Sequence, residues 1–248
     1  MNTELAGRTA LVTGATSGIG RAVATKLAAM GAHVIVSGRD HARGEKAVAE
    51  LRGAGARADF IAADLADLAD VRRLAREAEA VTGSVDILVN NAGFAPLGPT
   101  ADIREDTFEQ VYAINVRAPF YLVGALAPKM AERGHGTVVN ISTMAANFGM
   151  AGLSLYGSSK AALELLTKNW AAEFGPHGVR VNAVSPGPTR TEGTESWGEN
   201  LDLTAAAAPA GRVANPEEIA AGVAFLASDQ ASFVHGVILP VGGGRVAV

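Results

Sequence analysis

Short apolar runs alternate with longer amphipathic stretches from one end of this chain to the other. The apolar runs predict strands at residues 9–12, 33–36, 58–62, 87–90, 137–141, 179–184 and 237–241. The amphipathic stretches predict helices at residues 19–30, 43–51, 67–82, 106–132, 154–174 and 216–227. This alternation predicts an α/β fold, in which a doubly wound, seven-stranded parallel sheet carries helices on both faces. Ligands of such sheets bind at the carboxyl ends of the strands.

The composition excludes several classes of protein. Because its 248 residues contain no Pro/Ser-rich or charged linker, the chain is expected to form one domain over residues 1–248. A net charge of -4, with 21 scattered basic residues, argues against nucleic acid as a partner. The absence of cysteine suits the cytoplasm, and because the histidines show no metal-ligand spacing, no metal is expected. We see neither a secretion signal nor a stretch apolar enough to span a membrane.

The first predicted strand runs into a glycine-rich loop, TGATSGIG at residues 13–20, and then into a helix. Small residues let the backbone approach a pyrophosphate, and the helix N-terminus supplies N–H groups and a positive dipole. The strand-turn-helix context therefore predicts a dinucleotide site, although an ordinary glycine-rich turn is the alternative. The spacing is G-x-x-x-G-x-G, which differs from the commoner G-x-G-x-x-G. The predicted cofactor-binding residues of this loop are Gly14, Thr16, Ser17, Gly18, Ile19 and Gly20.

The ends of the second and third strands bear on the choice of cofactor. An acidic residue after the second strand would bind the adenosine ribose diol and repel a 2′-phosphate. Here Gly38 offers no carboxylate, and Arg39 offers a guanidinium suited to phosphate. We therefore predict NADP(H) in preference to NAD(H). A merely solvated Arg39 is the alternative, and the adjacent Asp40 keeps NAD(H) open. After the third strand, Asp64 and Leu65 are candidates to meet the adenine, with an acidic helix cap as the alternative for Asp64.

The fourth strand ends in Asn90-Asn91-Ala92-Gly93. Two amides at a strand end can tie adjacent loops together, and the small Ala92 and Gly93 leave room for a ribose and a nicotinamide. Asn91 is consequently a candidate either for cofactor contact or for support of the sheet.

Tyr156 and Lys160 are the strongest candidates for chemistry. On a helix, a spacing of four residues places the phenol and the ammonium on one face, one turn apart. A lysine charge beside a tyrosine is expected to lower the phenol pKa from its ordinary value of ~10. Such a phenol exchanges a proton near neutral pH, as the interconversion of an alcohol and a ketone requires. The alternative is that the two residues are merely neighbours on a helix.

Together these motifs resemble the short-chain dehydrogenase/reductase family over essentially the whole chain. Residues 13–20 resemble its T-G-x-x-x-G-I-G loop, residues 90–93 its N-N-A-G and residues 156–160 its Y-x-x-x-K. Pro186, Gly187, Thr189 and Thr191 resemble its P-G loop over the nicotinamide. The resemblance implies a Rossmann-like fold, an NAD(P)(H)-dependent oxidoreductase acting on a small-molecule ketone or alcohol, and a homotetramer.

The resemblance also implies a catalytic set of asparagine, serine, tyrosine and lysine. Asn115 matches the asparagine that bends the long helix and holds a water, while Lys160 would bind the ribose and assist Tyr156, the general acid/base. The family serine usually precedes the tyrosine by thirteen residues, and here that position is Thr143, next to Ser142. Adjacent side chains on a strand point oppositely, so one of the two should face the substrate, and the register favours Thr143.

Substrate choice rests on loops outside the motifs. The expected pocket wall is mainly apolar, which favours a neutral, moderately apolar ketone or secondary alcohol. Its candidates are Phe94, Ala95, Ala145, Asn147, Phe148, Met150, Leu153 and the lid-like residues 192–211, which include Trp197. A 3-oxoacyl-[acyl-carrier-protein] reductase, a sugar dehydrogenase and a catalytically silent NADP(H)-binding regulator are the alternatives.

Overall fold

The computed structural model describes residues 3–248, and in this part of the chain seven parallel strands form one sheet. The strands are β1 (Thr9–Thr13), β2 (His33–Gly38), β3 (Ala58–Ala62), β4 (Ile87–Asn90), β5 (Gly136–Ile141), β6 (Val179–Pro186) and β7 (Ile238–Val241). Their order is β3-β2-β1-β4-β5-β6-β7, which confirms the predicted α/β fold class. Because the order reverses between β1 and β4, the loops that follow these two strands diverge and open a crevice at the carboxyl edge.

Eight α-helices of the described chain cover the sheet. They are α1 (Gly18–Ala29), α2 (His41–Gly53), α3 (Leu68–Thr82), α4 (Glu105–Tyr112), α5 (Ala118–Glu132), α6 (Ser154–Phe174), α7 (Glu199–Ala206) and α8 (Pro216–Ala227). Alternate strand residues face opposite sides, so Val34 and Val36 pack into one core with α1 and α8. Ile35 packs into the other core, with α3, α5 and α6. None of the helices within residues 3–248 is both long and apolar enough to cross a membrane.

The predicted helix over residues 106–132 is present, with a local change of winding that the periodicity does not predict. The segment is divided into α4, a π-helical turn at Ala113–Arg117 and α5. Asn115 lies in that turn, wholly buried, and its side chain bonds to a neighbouring loop and to α6 rather than to its own helix. The extra residue of a π-turn aims a side chain where regular α-helical spacing would not.

Helix α7 was not predicted, because residues 192–211 were interpreted as a mobile lid. In the structure, a short 3₁₀ helix at Glu192–Trp197 precedes α7 in this segment. Leu201 and Ala205 of α7 are buried against the rest of the chain, and Arg190 pairs with Asp202 at 2.8 Å.

Candidate active site

The crevice at the carboxyl edge of the sheet is a cavity of about 650 Å³. It extends from the glycine-rich loop after β1 to the N-terminal half of α6. Every predicted site residue except Asn115 lines it: Gly14, Thr16, Ser17, Gly18, Ile19, Gly20, Arg39, Asp64, Leu65, Asn91, Ala92, Gly93, Ser142, Thr143, Tyr156, Lys160, Pro186, Gly187, Thr189 and Thr191. The tertiary structure thus brings residues that follow β1 to β6, together with Tyr156 and Lys160 of α6, into one cleft.

The loop after β1 forms a narrow cradle beneath this cleft. The Asn91 amide Nδ2 donates to the carbonyls of Thr13 at 2.8 Å and Gly14 at 3.1 Å, tying the end of β4 to the loop. A Cβ on Gly20 would lie 2.3 Å from that nitrogen, so no larger residue fits. Ser17 is the N-cap of α1 but makes no side-chain capping bond, which leaves the first N–H groups of the helix available to an anion. The cradle fits the pyrophosphate of a dinucleotide.

The adenosine end of the cleft is marked by Arg39 and Asp64. Arg39 is exposed at the end of β2 and forms no ion pair with any described residue. The Asp40 carboxylate is engaged elsewhere, since its Oδ1 accepts from Arg43 N at 3.0 Å and caps α2. Asp64 is not a helix cap: its Oδ1 accepts from Ala66 N at 3.0 Å, and Asp67 caps α3 instead.

The loop after β6 closes the cleft from the opposite side. A Cβ on Gly187 would lie 2.7 Å from the Cα of Gly242, so any residue with a side chain would clash at this position. The Thr189 hydroxyl donates to the Gly187 carbonyl at 2.9 Å. Thr191 lies against the glycine cradle, because a Cβ on Gly18 would be 3.2 Å from the Thr191 Cβ.

Tyr156 and Lys160 lie one turn apart on α6, as the spacing predicts. Lys160 is 2% exposed, and its Nζ donates to the Ile141 carbonyl at 2.7 Å. The Nζ is 6.0 Å from the centroid of the Tyr156 ring. Burial raises the phenol pKa of Tyr156 to about 12, with a hydrogen bond to Thr143 acting against it, and burial lowers the pKa of Lys160 to about 8.

The expectation that Lys160 lowers the phenol pKa is therefore corrected. Partial burial of the phenol disfavours the phenolate, and the Lys160 ammonium, which donates to the Ile141 carbonyl, is not among the groups that lower the phenol pKa. Tyr156 is thus a neutral hydrogen-bond donor at neutral pH, while Lys160 stays largely protonated below its pKa of about 8.

Ser142 and Thr143 direct their hydroxyl groups to different partners. The Ser142 hydroxyl donates to Glu164 Oε1 at 2.6 Å and is buried. Thr143 has an extended backbone and caps the 3₁₀ turn at Met144–Ala146, where its Oγ1 accepts from Ala145 N at 3.3 Å. The Thr143 side chain lies beside the Tyr156 phenol and acts to lower its pKa.

Asn115 lies just beneath the cleft. Its Nδ2 donates to the Phe94 carbonyl and to Ser159 Oγ, both at 3.0 Å, and its Oδ1 accepts from Phe94 N at 2.9 Å. A Cβ on Gly93 would lie 3.4 Å from Lys160 Nζ and 3.6 Å from Asn115 Oδ1, so the three residues meet at one point. Asn115 joins the loop after β4 to α6 directly behind Lys160.

The substrate end of the cleft matches the predicted wall in part. Predicted residues that line it are Phe94, Ala95, Ala145, Met150, Leu153 and Trp197. Asn147 and Phe148 do not line it, because Asn147 Nδ2 bonds to Glu164 at 3.4 Å and the Phe148 ring lies 4.7 Å below the Arg245 guanidinium. Leu201, within the predicted segment 192–211, also lines it, whereas the sequence analysis missed Gln110, Ile114 and Met144. The spacing of Gln110 and Ile114 indicates a shared helix face, but not which face.

The parallel sheet, the glycine cradle and the Tyr156–Lys160 pair define the class of this protein as an NAD(P)-dependent oxidoreductase. The chain belongs to the short-chain dehydrogenase/reductase family. A family model described as Enoyl-(Acyl carrier protein) reductase matches residues 14–245. Among residues 3–248 there is no group of three or more His, Cys, Asp or Glu side chains that could hold a metal ion.

Three similar proteins illustrate this membership. A solved structure described as a short chain dehydrogenase/reductase family protein is 53% identical, with a TM-score of 0.92 over 99% of this chain and 100% of that chain. A cis-4-hydroxycyclohexanecarboxylate dehydrogenase from Sinomonas cyclohexanicum is 41% identical over 100% of both chains. A protein from Beutenbergia cavernae, provisionally named an NAD(P)-dependent gluconate 5-dehydrogenase, is 39% identical with a TM-score of 0.95 over 100% of both chains, and its structure has NADP bound at low occupancy.

Proposed function

We propose that this protein interconverts a ketone and a secondary alcohol, with NADP(H) as the hydride carrier and Tyr156 as the general acid/base. The observation that carries the proposal is the position of the Tyr156 phenol. It lies beside the Thr143 side chain, which acts to lower the phenol pKa, in a cleft with the dinucleotide cradle at one end and an uncharged wall at the other. The nicotinamide, when bound, supplies or accepts the hydride.

The side chains of the cleft provide the proton and a place for the developing oxyanion. In reduction, the neutral Tyr156 phenol donates its proton to the substrate oxygen. The Thr143 hydroxyl lies beside the same phenol, and we propose that its proton stabilises the same substrate oxygen while its own oxygen accepts from Ala145 N. The Lys160 cation offsets the phenolate left behind. We propose that Ser142 does not react, because its hydroxyl is donated to Glu164.

Preference for NADP(H) over NAD(H) follows from the unpaired guanidinium of Arg39. It lies at the end of β2 beside the cradle, where a 2′-phosphate would face it, and the Asp40 carboxylate is turned away to cap α2. NADP is bound in the structure of the relative from Beutenbergia cavernae, which supports this preference.

The charge distribution of the cleft supports a neutral substrate. The charged residues that line it are Arg39, Asp64 and Lys160, none of them on the substrate wall. A carboxylate or a phosphopantetheine phosphate would find no cation on that wall. We therefore propose a neutral, moderately apolar ketone or secondary alcohol. A panel in which only anionic compounds or acyl thioesters react would refute this choice, and reaction of acyl thioesters alone would favour a reductase of carrier-bound substrates.

The test is the oxidation of NADPH in the presence of small neutral diketones. We expect turnover by the wild type and a fall in kcat of about 10³-fold in Tyr156→Phe, because a positioned general acid contributes roughly 10²–10⁴ in rate. NADPH binding, followed by its fluorescence, should be unchanged in the variant. A wild type that binds NADPH tightly but reduces no compound would instead support a regulator.

A further inference from the structure

Glu164 is a polar residue of α6 that the proposed reaction leaves without a role. It follows Lys160 by one turn, as Lys160 follows Tyr156, so the three side chains share a face of the helix. Its Oε1 accepts two hydrogen bonds, from Ser142 Oγ at 2.6 Å and from Asn147 Nδ2 at 3.4 Å. Glu164 does not itself line the cleft.

The two donors flank the turn that carries Thr143. Before the turn, Ser142 is the last residue of this segment that bonds to the sheet, and its N–H donates to the Val184 carbonyl of β6 at 2.8 Å. After Thr143 the chain is held by short-range turn bonds, including Ala146 N to the Thr143 carbonyl at 3.1 Å. A single carboxylate oxygen on α6 therefore holds both ends of the segment, and it does so from the helix that also carries Tyr156.

We propose that Glu164 is a positioning residue. It holds residues 142–147 against α6, so that the Thr143 hydroxyl meets the Tyr156 phenol, and it keeps the Ser142 hydroxyl out of the reaction. Hydrogen bonds to an ionised carboxylate are shorter and stronger than bonds between neutral groups, which suits such an anchor. The inference rests on the proposed function, because it assigns Glu164 an effect on the position of Thr143, which acts in the proposed reaction. It assigns Glu164 no effect on cofactor binding.

The first test compares three variants of α6. Glu164→Ala removes both acceptor contacts, and we expect kcat to fall about 10- to 100-fold, since small misplacements of reacting groups have effects of this size. The KM for NADPH should change by less than about 2-fold, because Glu164 does not touch the cleft. Glu164→Gln keeps an oxygen acceptor and should retain kcat within about 3-fold. Glu173→Ala, an exposed glutamate of the same helix, is the matched control and should behave as the wild type.

The second test asks whether Glu164 acts through Thr143. In a Thr143→Ala background there is no hydroxyl to position, so the added Glu164→Ala change should lower kcat by less than about 2-fold. An equal loss of kcat in both backgrounds would show a general structural effect and would overturn the proposal. An unchanged kcat in Glu164→Ala alone would overturn it as well.

A third measurement separates this proposal from the proposed reaction. Amide hydrogen exchange of residues 143–147 should accelerate in Glu164→Ala relative to Glu164→Gln and Glu173→Ala, while exchange in the strands stays constant. Unchanged exchange in this segment would refute the anchor. If the wild type reduced no carbonyl compound, the proposed function would fail, and the exchange result alone would decide whether Glu164 holds the turn.

Discussion

Lys160 and Tyr156 show how burial sets the chemistry of individual residues. The Lys160 ammonium has the Ile141 carbonyl as its hydrogen-bond acceptor and is almost wholly withdrawn from water. Burial lowers the pKa of Lys160 from 10.5 to about 8 and raises the pKa of Tyr156 from 10.0 to about 12. Both shifts favour the neutral forms, so the lysine charge is maintained at neutral pH at the expense of folding stability.

We expect Lys160→Met to raise the melting temperature of the cofactor-free protein at pH 7 while abolishing turnover. Between about pH 8 and 10.5 the unfolded chain binds more protons at Lys160 than the folded chain, so the wild type gains stability from this group as pH rises. Removing the buried charge should add about 1–2 kcal/mol at pH 7, after the unsatisfied Ile141 carbonyl is allowed for. That corresponds to roughly 2–8 °C.

The measurement is the melting temperature of both proteins from pH 6 to about 11. The advantage of Lys160→Met should shrink as pH approaches 10, because the wild-type lysine loses its proton. Above pH 10 both proteins should lose stability together, since the Tyr156 pKa is raised in the folded state and the unfolded chain releases that proton first. A variant less stable than the wild type at pH 7 would contradict this account.

Arg39 determines the cofactor preference in our proposal. Arg39→Asp should lower the NADP/NAD ratio of kcat/KM by about 100-fold or more, because a carboxylate repels the 2′-phosphate and accepts from the ribose diol. Arg76→Asp on α3 makes the same charge change at an exposed position outside the cleft and should leave the ratio unchanged. An unchanged ratio in Arg39→Asp would show that the guanidinium is merely solvated.

At the scale of elements, the π-turn between α4 and α5 links the sheet to the catalytic helix. The Asn115 amide nitrogen donates to the Phe94 carbonyl and to the Ser159 hydroxyl, so it joins the loop after β4 to α6. With regular α-helical spacing over residues 106–132, the Asn115 side chain would point in a different direction and would not make both of these bonds.

Asn115→Ala should lower the free energy of unfolding by about 2–4 kcal/mol, because it removes a buried side chain and leaves part-buried backbone groups of Phe94 without partners. Turnover should fall as well, because Asn115 and the catalytic candidate Lys160 pack against the same residue, Gly93. Asn200→Ala, at an exposed position on α7, is the control and should change stability by no more than about 0.5 kcal/mol. Denaturant unfolding that gives equal stabilities for Asn115→Ala and the wild type would contradict a supporting role.

At the scale of the whole molecule, α5 and α6 present an apolar surface. Leu165 of α6 is 60% exposed, and the half-exposed Phe120 of α5 packs beside Trp170 of α6, with ring centroids 6.2 Å apart. Other residues of the 161–174 stretch, such as Leu163 and Phe174, are buried against the sheet. Following the family resemblance, we propose that this surface joins subunits of a homotetramer.

Leu165→Glu should reduce the molecular mass in solution below that of the wild type, because it places a charge in the proposed interface. The measurement is sedimentation or light scattering at matched protein concentration. Val81→Glu, an exposed apolar position at the end of α3, is the control and should keep the wild-type mass. A monomeric wild type, or a Leu165→Glu variant of unchanged mass, would refute this interface.

Much of the fold and the composition of the site followed from the sequence alone. The bounds of α6 and α8 match the predicted ranges 154–174 and 216–227, and all seven predicted strands occur in the structure. These features depend on local periodicity and on glycines whose neighbours exclude any Cβ, as at Gly20. The carboxyl-edge rule then placed nearly every candidate residue in one cleft.

The tertiary structure alone decided the π-turn, the hydrogen-bond partners of Ser142 and Thr143, the double contact of Glu164 and the pKa values of Tyr156 and Lys160. Each depends on groups that are distant along the chain, such as Ser142 and Glu164 or Asn115 and Phe94. The sequence itself determined which elements form and which residue types reach the cleft, because backbone propensity and amphipathic spacing act over a few neighbouring residues. Protonation and hydrogen-bond partners depend instead on how completely the assembled fold excludes water, which no local pattern records.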